Sequence, residues 1–132
     1  MKTTVAKILD ANAALASMRI TCGTPYRSLR RLHQLRDTLA KEVSVACEAQ
    51  EGLIQRHNGR SNSAGQITFL REEEKAAFQE AWDEVLNTEI DLTIGPVDLS
   101  GIVDNIIFEN ADANLEALSA FIVFEREGEH GG

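Results

Sequence analysis

The sequence predicts an α+β fold, mainly α, with a long helical hairpin, a third helix and a small β element near the C-terminal half. Three observations carry that expectation. Apolar residues recur at three- and four-residue steps over residues 25–57, two further segments repeat the helical period, and one short stretch after Asn87 alternates instead. Aromatic residues are 5% of 132, so the core must be built from Leu, Ile, Val and Ala, which suits closely packed helices. At this length one domain is expected over residues 1–124, with 125–132 as a flexible acidic tail.

The first helix is expected over residues 3–19, where Val5, Ile8, Leu9, Ala13, Leu15, Ala16 and Met18 follow a helical rather than a two-residue period. It should end near Cys22 and Gly23. Thr24 then offers an N-cap hydroxyl, and Pro25 suits the first helical turn because no amide donor is needed there. From this start Leu29, Leu32, Leu35, Leu39, Val43, Ala46 and Leu53 form one apolar stripe, widened near its end by Ala49 and Ile54. Such a helix would be about 50 Å long, more than the width of a compact domain of this size. Part of it must project, bend or pack on another chain.

Residues 57–65, His-Asn-Gly-Arg-Ser-Asn-Ser-Ala-Gly, are turn formers that stop a helix and leave a mobile connecting loop. Residues 66–69 suit a short strand. The next helix opens on Glu72, Glu73 and Glu74, which complement the positive end of its macrodipole, and buries Phe78, Ala81, Trp82, Val85 and Leu86. Ile90, Leu92 and Ile94 then alternate with Asp91 and Thr93 as a strand with one buried face. Val97 and Leu99 extend this as an edge strand, since Pro96 lacks a ladder donor. A short helix over 110–120, capped by Asn110 or Asp112, leads into apolar residues 121–124.

The formal charge of −8 conceals a segregation. Residues 1–71 carry eleven Lys/Arg against five Asp/Glu, whereas 72–132 carry two against sixteen, so the halves are +6 and −14. Opposite patches of that size can draw copies together or present two faces to partners. The alternative is that the halves fold together and neutralise internally.

Motifs for chemistry are missing where they would be expected. His33, His57 and His130 share no metal or catalytic spacing, no serine sits in a nucleophile elbow, and no glycine pattern forms a phosphate loop. Residues 110–114 mimic the alternating oxygens of a calcium loop, but Leu115 stands where glycine is needed and Phe121 where a bidentate Glu is needed. No catalytic residue, metal or cofactor is expected. Cys22 and Cys47 read as two buried free thiols. No apolar run could span a bilayer and no secretory signal is visible, which argues for the cytoplasm and against a membrane.

The basic group Arg19, Arg27, Arg30, Arg31, Arg36 and Lys41 is opposed between its ends by Asp37 alone. Arginines along one helix can meet phosphates or an acidic partner. Overall acidity, sparse aromatics and the lack of a recognition-helix pattern argue against nucleic acid. Arg27, Arg30, Arg31, Arg36 and Lys41 are therefore the candidate interaction residues, toward an acidic surface within the chain or on another subunit.

Tyr26-x-x-Leu29-x-x-Leu32, the long charged helix, the Gly-containing loop, Glu84-Val85-Leu86-Asn87-Thr88-Glu89-Ile90-Asp91-Leu92 and Val97-Asp98-Leu99-Ser100 occur in this order. Together they resemble a family of small, uncharacterised proteins encoded by tailed bacteriophages and prophages, over about residues 4–122. The chain departs from that pattern at Cys22-Gly23-Thr24 and in its unusually acidic C-terminal segment. The resemblance implies a phage setting and a non-enzymatic role among virion assembly or late functions, located in the host bacterial cytoplasm or in the virion. Partners would be further copies of the chain or other phage proteins. An acidic inhibitor of a host protein, its acidic C-terminal half mimicking nucleic acid or binding a basic surface, is the alternative.

Overall fold

The computed structural model describes residues 1–20, 23–99, 106–107 and 111–123, the last segment without the side chains of 111–113. Among these residues the order is β1 (Lys2–Thr4), α1 (Val5–Ser17), β2 (Arg19–Ile20), α2 (Tyr26–Arg56), β3 (Arg60–Ser61), β4 (Ile67–Thr68), α3 (Glu72–Leu86), β5 (Glu89–Asp91), β6 (Val97–Asp98), β7 (Ile106–Ile107), α4 (Ala111–Leu118) and β8 (Ile122–Val123). This is the α+β, mainly α, architecture read from the sequence.

Helix α1 is the centre of the head and packs on both α2 and α4. Thr4 stays extended and its hydroxyl accepts from the Lys7 amide at 3.4 Å, while Met18 is extended at the other end. The expected helix over 3–19 therefore gives up both ends to strands. Its buried face is Val5, Ile8, Ala11, Ala14 and Leu15, where the two alanines let neighbouring helices approach closely.

In α2 the N-cap position falls on Pro25 rather than Thr24, and the Pro25 carbonyl accepts from the Leu29 amide at 3.1 Å. Proline has no amide to lose at either position, but as N-cap it offers no side-chain acceptor, and α2 starts without a side-chain cap hydrogen bond. Leu32, Leu35 and Leu39 are fully buried against α1 and against Leu92, Val97, Leu99, Leu118 and Phe121. Removing any one of these leucines to alanine should cost about 2–5 kcal/mol.

Beyond Val43 the helix leaves this core. Ala46 is its last buried residue, and Phe78 is the buried residue of α3. Leu53, Ile54, Ala77, Ala81, Trp82 and Val85 are half-buried along the seam between the two helices. The distal part of α2 and the returning α3 thus form a projecting two-helix arm. The excess length foreseen from the sequence is accommodated by projection.

The β content is dispersed over two-stranded ladders. β1 pairs antiparallel with β5 in the register Thr3 to Ile90, β2 with β7, and β3 with β4, whereas β6 runs parallel to β8 with Val97 opposite Ile122. The β1 strand ties the exit of α3 to the head, helped by the Val5 amide donating to Thr88 O at 3.2 Å and the Leu92 amide to Met1 O at 2.7 Å. Pro96 stands just outside β6, where its missing donor is not needed. Asn110, Phe124, Cys22, Ser100 and the tail 125–132 lie outside the described residues, and with Asn110 goes the first of the two proposed caps of α4.

Candidate interaction surface

At about 100° per residue, Arg27, Arg30, Arg31 and Lys41 fall on one flank of α2, together with Gln34 and Val45. All four cations are exposed, as is Val45 at 62% of its surface. Arg36 falls on the opposite flank and is half-buried. The five candidates are thus four and one. None of them forms an ion pair with another described residue. Among the described residues, the internal neutralisation considered above is not made through ion pairs of these five cations.

Arg31 and Gln34 also border a shallow groove of about 350 Å³ whose other wall is the segment from Ile94 to Asp98. The flank therefore continues from the helix onto the connection between β5 and β6. On the arm, Glu72, Glu73, Glu80, Asp83 and Glu84 are exposed on α3. The cationic flank of α2 and these carboxylates of α3 thus lie on different elements.

The arm ends in a built structure rather than an open loop. Asn58 takes a left-handed conformation at φ 59°, which asparagine tolerates, and its amide nitrogen donates to Glu74 Oε2 at 2.6 Å. The Asn62 side-chain oxygen accepts from the Ala64 and Gln66 amides, both at 2.9 Å, closing the turn between β3 and β4. Phe69 packs against Phe78 with the rings tilted at 42° and their centroids 5.2 Å apart, and lies over Gly59, where a Cβ would come within 2.6 Å of the ring. With Phe69 held inward, its neighbour Leu70 points out and is 91% exposed. Arg60 and Arg71 flank it, both exposed.

A second concavity, about 600 Å³, lies in the head between α1 and α4. Ala14, Ala117 and Phe121 form an apolar floor, Asp10 and Glu116 stand on the rim, and Lys7 lies at the same edge. Asn114 Nδ2 donates to Ser17 Oγ at 2.8 Å across the groove. Neither rim carboxylate is paired with a described residue.

Sequence reasoning missed both the exposed leucine and the head groove. The adjacent apolar pair Phe69-Leu70 in an extended segment was the available signal, because successive side chains there face opposite ways. The groove brings together α1 and α4, which are remote in sequence, and no local pattern announces it. Cys47, expected to be buried, is an exposed free thiol on the outer side of α2. His33 is exposed and His57 half-buried, and among the described residues no three His, Cys, Asp or Glu side chains converge on a possible metal position. No helix among them is long and apolar enough to cross a membrane. Comparison with protein-family models, curated proteins and solved structures finds no match.

Proposed function

We propose that this protein is a non-enzymatic assembly or accessory structural protein of a tailed bacteriophage or prophage, acting in the host cytoplasm or in the virion through protein–protein contacts. The observation that carries the reading is the arm. A two-helix projection with a thin seam gains little for its own fold, yet it extends contact area well beyond the head. The exposed cations Arg27, Arg30, Arg31 and Lys41 of α2 lie on its head half and the exposed carboxylates of α3 run along the arm, and such segregation favours association of like copies. The phage setting rests on the ordered motifs from Tyr26 to Ser100.

Static light scattering and sedimentation equilibrium from about 1 to 100 μM, a span that brackets weak specific association, test the reading. Concentration-dependent association is expected, weakened by the combined change Arg27→Glu, Arg30→Glu and Arg31→Glu. A monomer throughout, at low and at high salt, would remove the basis for self-assembly.

The outer face of α3 favours a second reading, an acidic inhibitor of a basic host protein. Its five exposed carboxylates have no matching cations on the same helix beyond Lys75. Pull-down of a purified basic, DNA-binding host protein, lost with Glu80→Lys and Asp83→Lys, would favour it over assembly.

A further inference from the structure

We propose that the tip of one copy docks into the head groove of another, with Leu70 seated between α1 and α4 and its flanking arginines meeting the carboxylates on the rim. This deepens the self-assembly reading and rests on it. Leu70 is the most exposed large apolar side chain among the described residues. Phe69, the residue before it, packs over Gly59 and against Phe78, and turning the segment over to bury Leu70 would lose that contact. A single exposed leucine marks nothing by itself, but this one stands at the end of an arm, where an apolar recess on a second molecule can bury it.

The groove complements it in shape and in sign. Its floor of Ala14, Ala117 and Phe121 is apolar, and at about 600 Å³ it can take a leucyl side chain along with the aliphatic stems of neighbouring arginines. Arg60 and Arg71 beside Leu70 are cationic, while Asp10 and Glu116 on the rim are anionic and have no partner among the described residues. Glu74 on the tip's surface is taken up by Asn58, and Glu72 and Glu73, which follow Arg71, lower the tip's positive charge. Lys7 at the same edge opposes the match in part. Two carboxylates against one ammonium still leave the rim acidic.

The occupant must come from a second copy. Leu39 is the last fully buried leucine of α2, and the helix continues seventeen residues to Arg56, about 25 Å at 1.5 Å per residue. The arm cannot fold back to deliver its own tip to its own head. Because tip and groove are different surfaces, the contact is heterologous. It permits a reciprocal pair, a ring or an open chain.

The decisive experiment mixes two variants, each defective on one side. Leu70→Glu changes an exposed residue and leaves the groove intact, whereas Ala13→Trp changes an exposed residue at the groove and leaves the tip intact. Circular dichroism should show both folded as the unaltered chain. Each variant alone is expected to lose self-association by about tenfold or more, as for a central contact residue. Their mixture should recover it as 1:1 pairs, because one sound tip and one sound groove remain.

Association of the unaltered chain that is indifferent to both substitutions would overturn the tip-to-groove contact while leaving self-assembly standing. Absence of association in the unaltered chain would overturn both. If Ala13→Trp fails to fold, Glu116→Arg replaces it. A charge exchange, Arg71→Glu with Glu116→Arg, should then restore part of what either change removes, and no restoration would count against the pairing.

Discussion

Thr3 is the point where a single atom decides stability. It is buried in β1 opposite Ile90, and its hydroxyl has no hydrogen-bond partner among the described residues. An unsatisfied buried hydroxyl carries a desolvation cost of about 1–3 kcal/mol. Thr3→Val removes the hydroxyl, keeps the branched shape suited to a strand and adds a Val–Ile cross-strand pair. Urea denaturation should show a gain of about 1 kcal/mol. Gly59 is the converse case, a position where one added carbon does harm. Its Cβ would overlap the Phe69 ring, so Gly59→Ala must displace that ring and loosen the tip. Amide exchange of residues 59–70 should accelerate with that of Leu32 to Leu39 unchanged. Equal acceleration in the head would show that tip and head unfold together.

At the scale of elements, α2 is two helices in energetic terms. Its first half is anchored by three fully buried leucines, and its second half is supported by Ala46 and a half-buried seam against α3. Gly52 stands on the exposed side of this weaker half, and a Cβ added there would meet nothing within 4 Å. Alanine at this position restores helix propensity without a clash, and Gly52→Ala should stabilise the arm by about 0.5–1 kcal/mol. Slower exchange confined to the arm amides is the check, and faster exchange would show that the glycine is needed as it stands. The same helix shows what sequence pattern can reveal. Its period from Leu29 to Leu53, its start at the Thr24-Pro25 step and its excess length were readable because each is a local property of consecutive residues. The β1 strand was not, since Thr3 and Thr4 favour a strand but so short a segment announces none until it pairs with residues 89–91. The basic flank was readable as a cluster in sequence, but the separation of Arg36 from the other four needs the helical rotation and the position of the core. The head groove needs α4 folded onto α1, a contact between segments about 100 residues apart.

For the whole molecule, the net charge of −8 and the local complementarity of tip and groove act against each other. Two copies repel as bodies over tens of ångströms, while Arg60 and Arg71 attract Asp10 and Glu116 across a few. Salt separates these effects because they differ in range. The screening length is about 30 Å at 0.01 M, about 10 Å at 0.1 M and about 3 Å at 1 M. Raising salt to about 0.1 M therefore removes body-to-body repulsion while contact pairs keep much of their attraction. Beyond that, the pairs themselves are screened, leaving burial of Leu70 as the residual contribution. Self-association should pass through a maximum near 0.1 M salt rather than change in one direction. Sedimentation equilibrium across this series measures it directly. Association that strengthens steadily to 1 M would mean an apolar contact without charge complementarity, and the rim carboxylates would lose their assigned part. With Leu70→Glu the maximum should disappear, because the substituted side chain adds a negative charge to the contact and removes the apolar burial that survives at high salt.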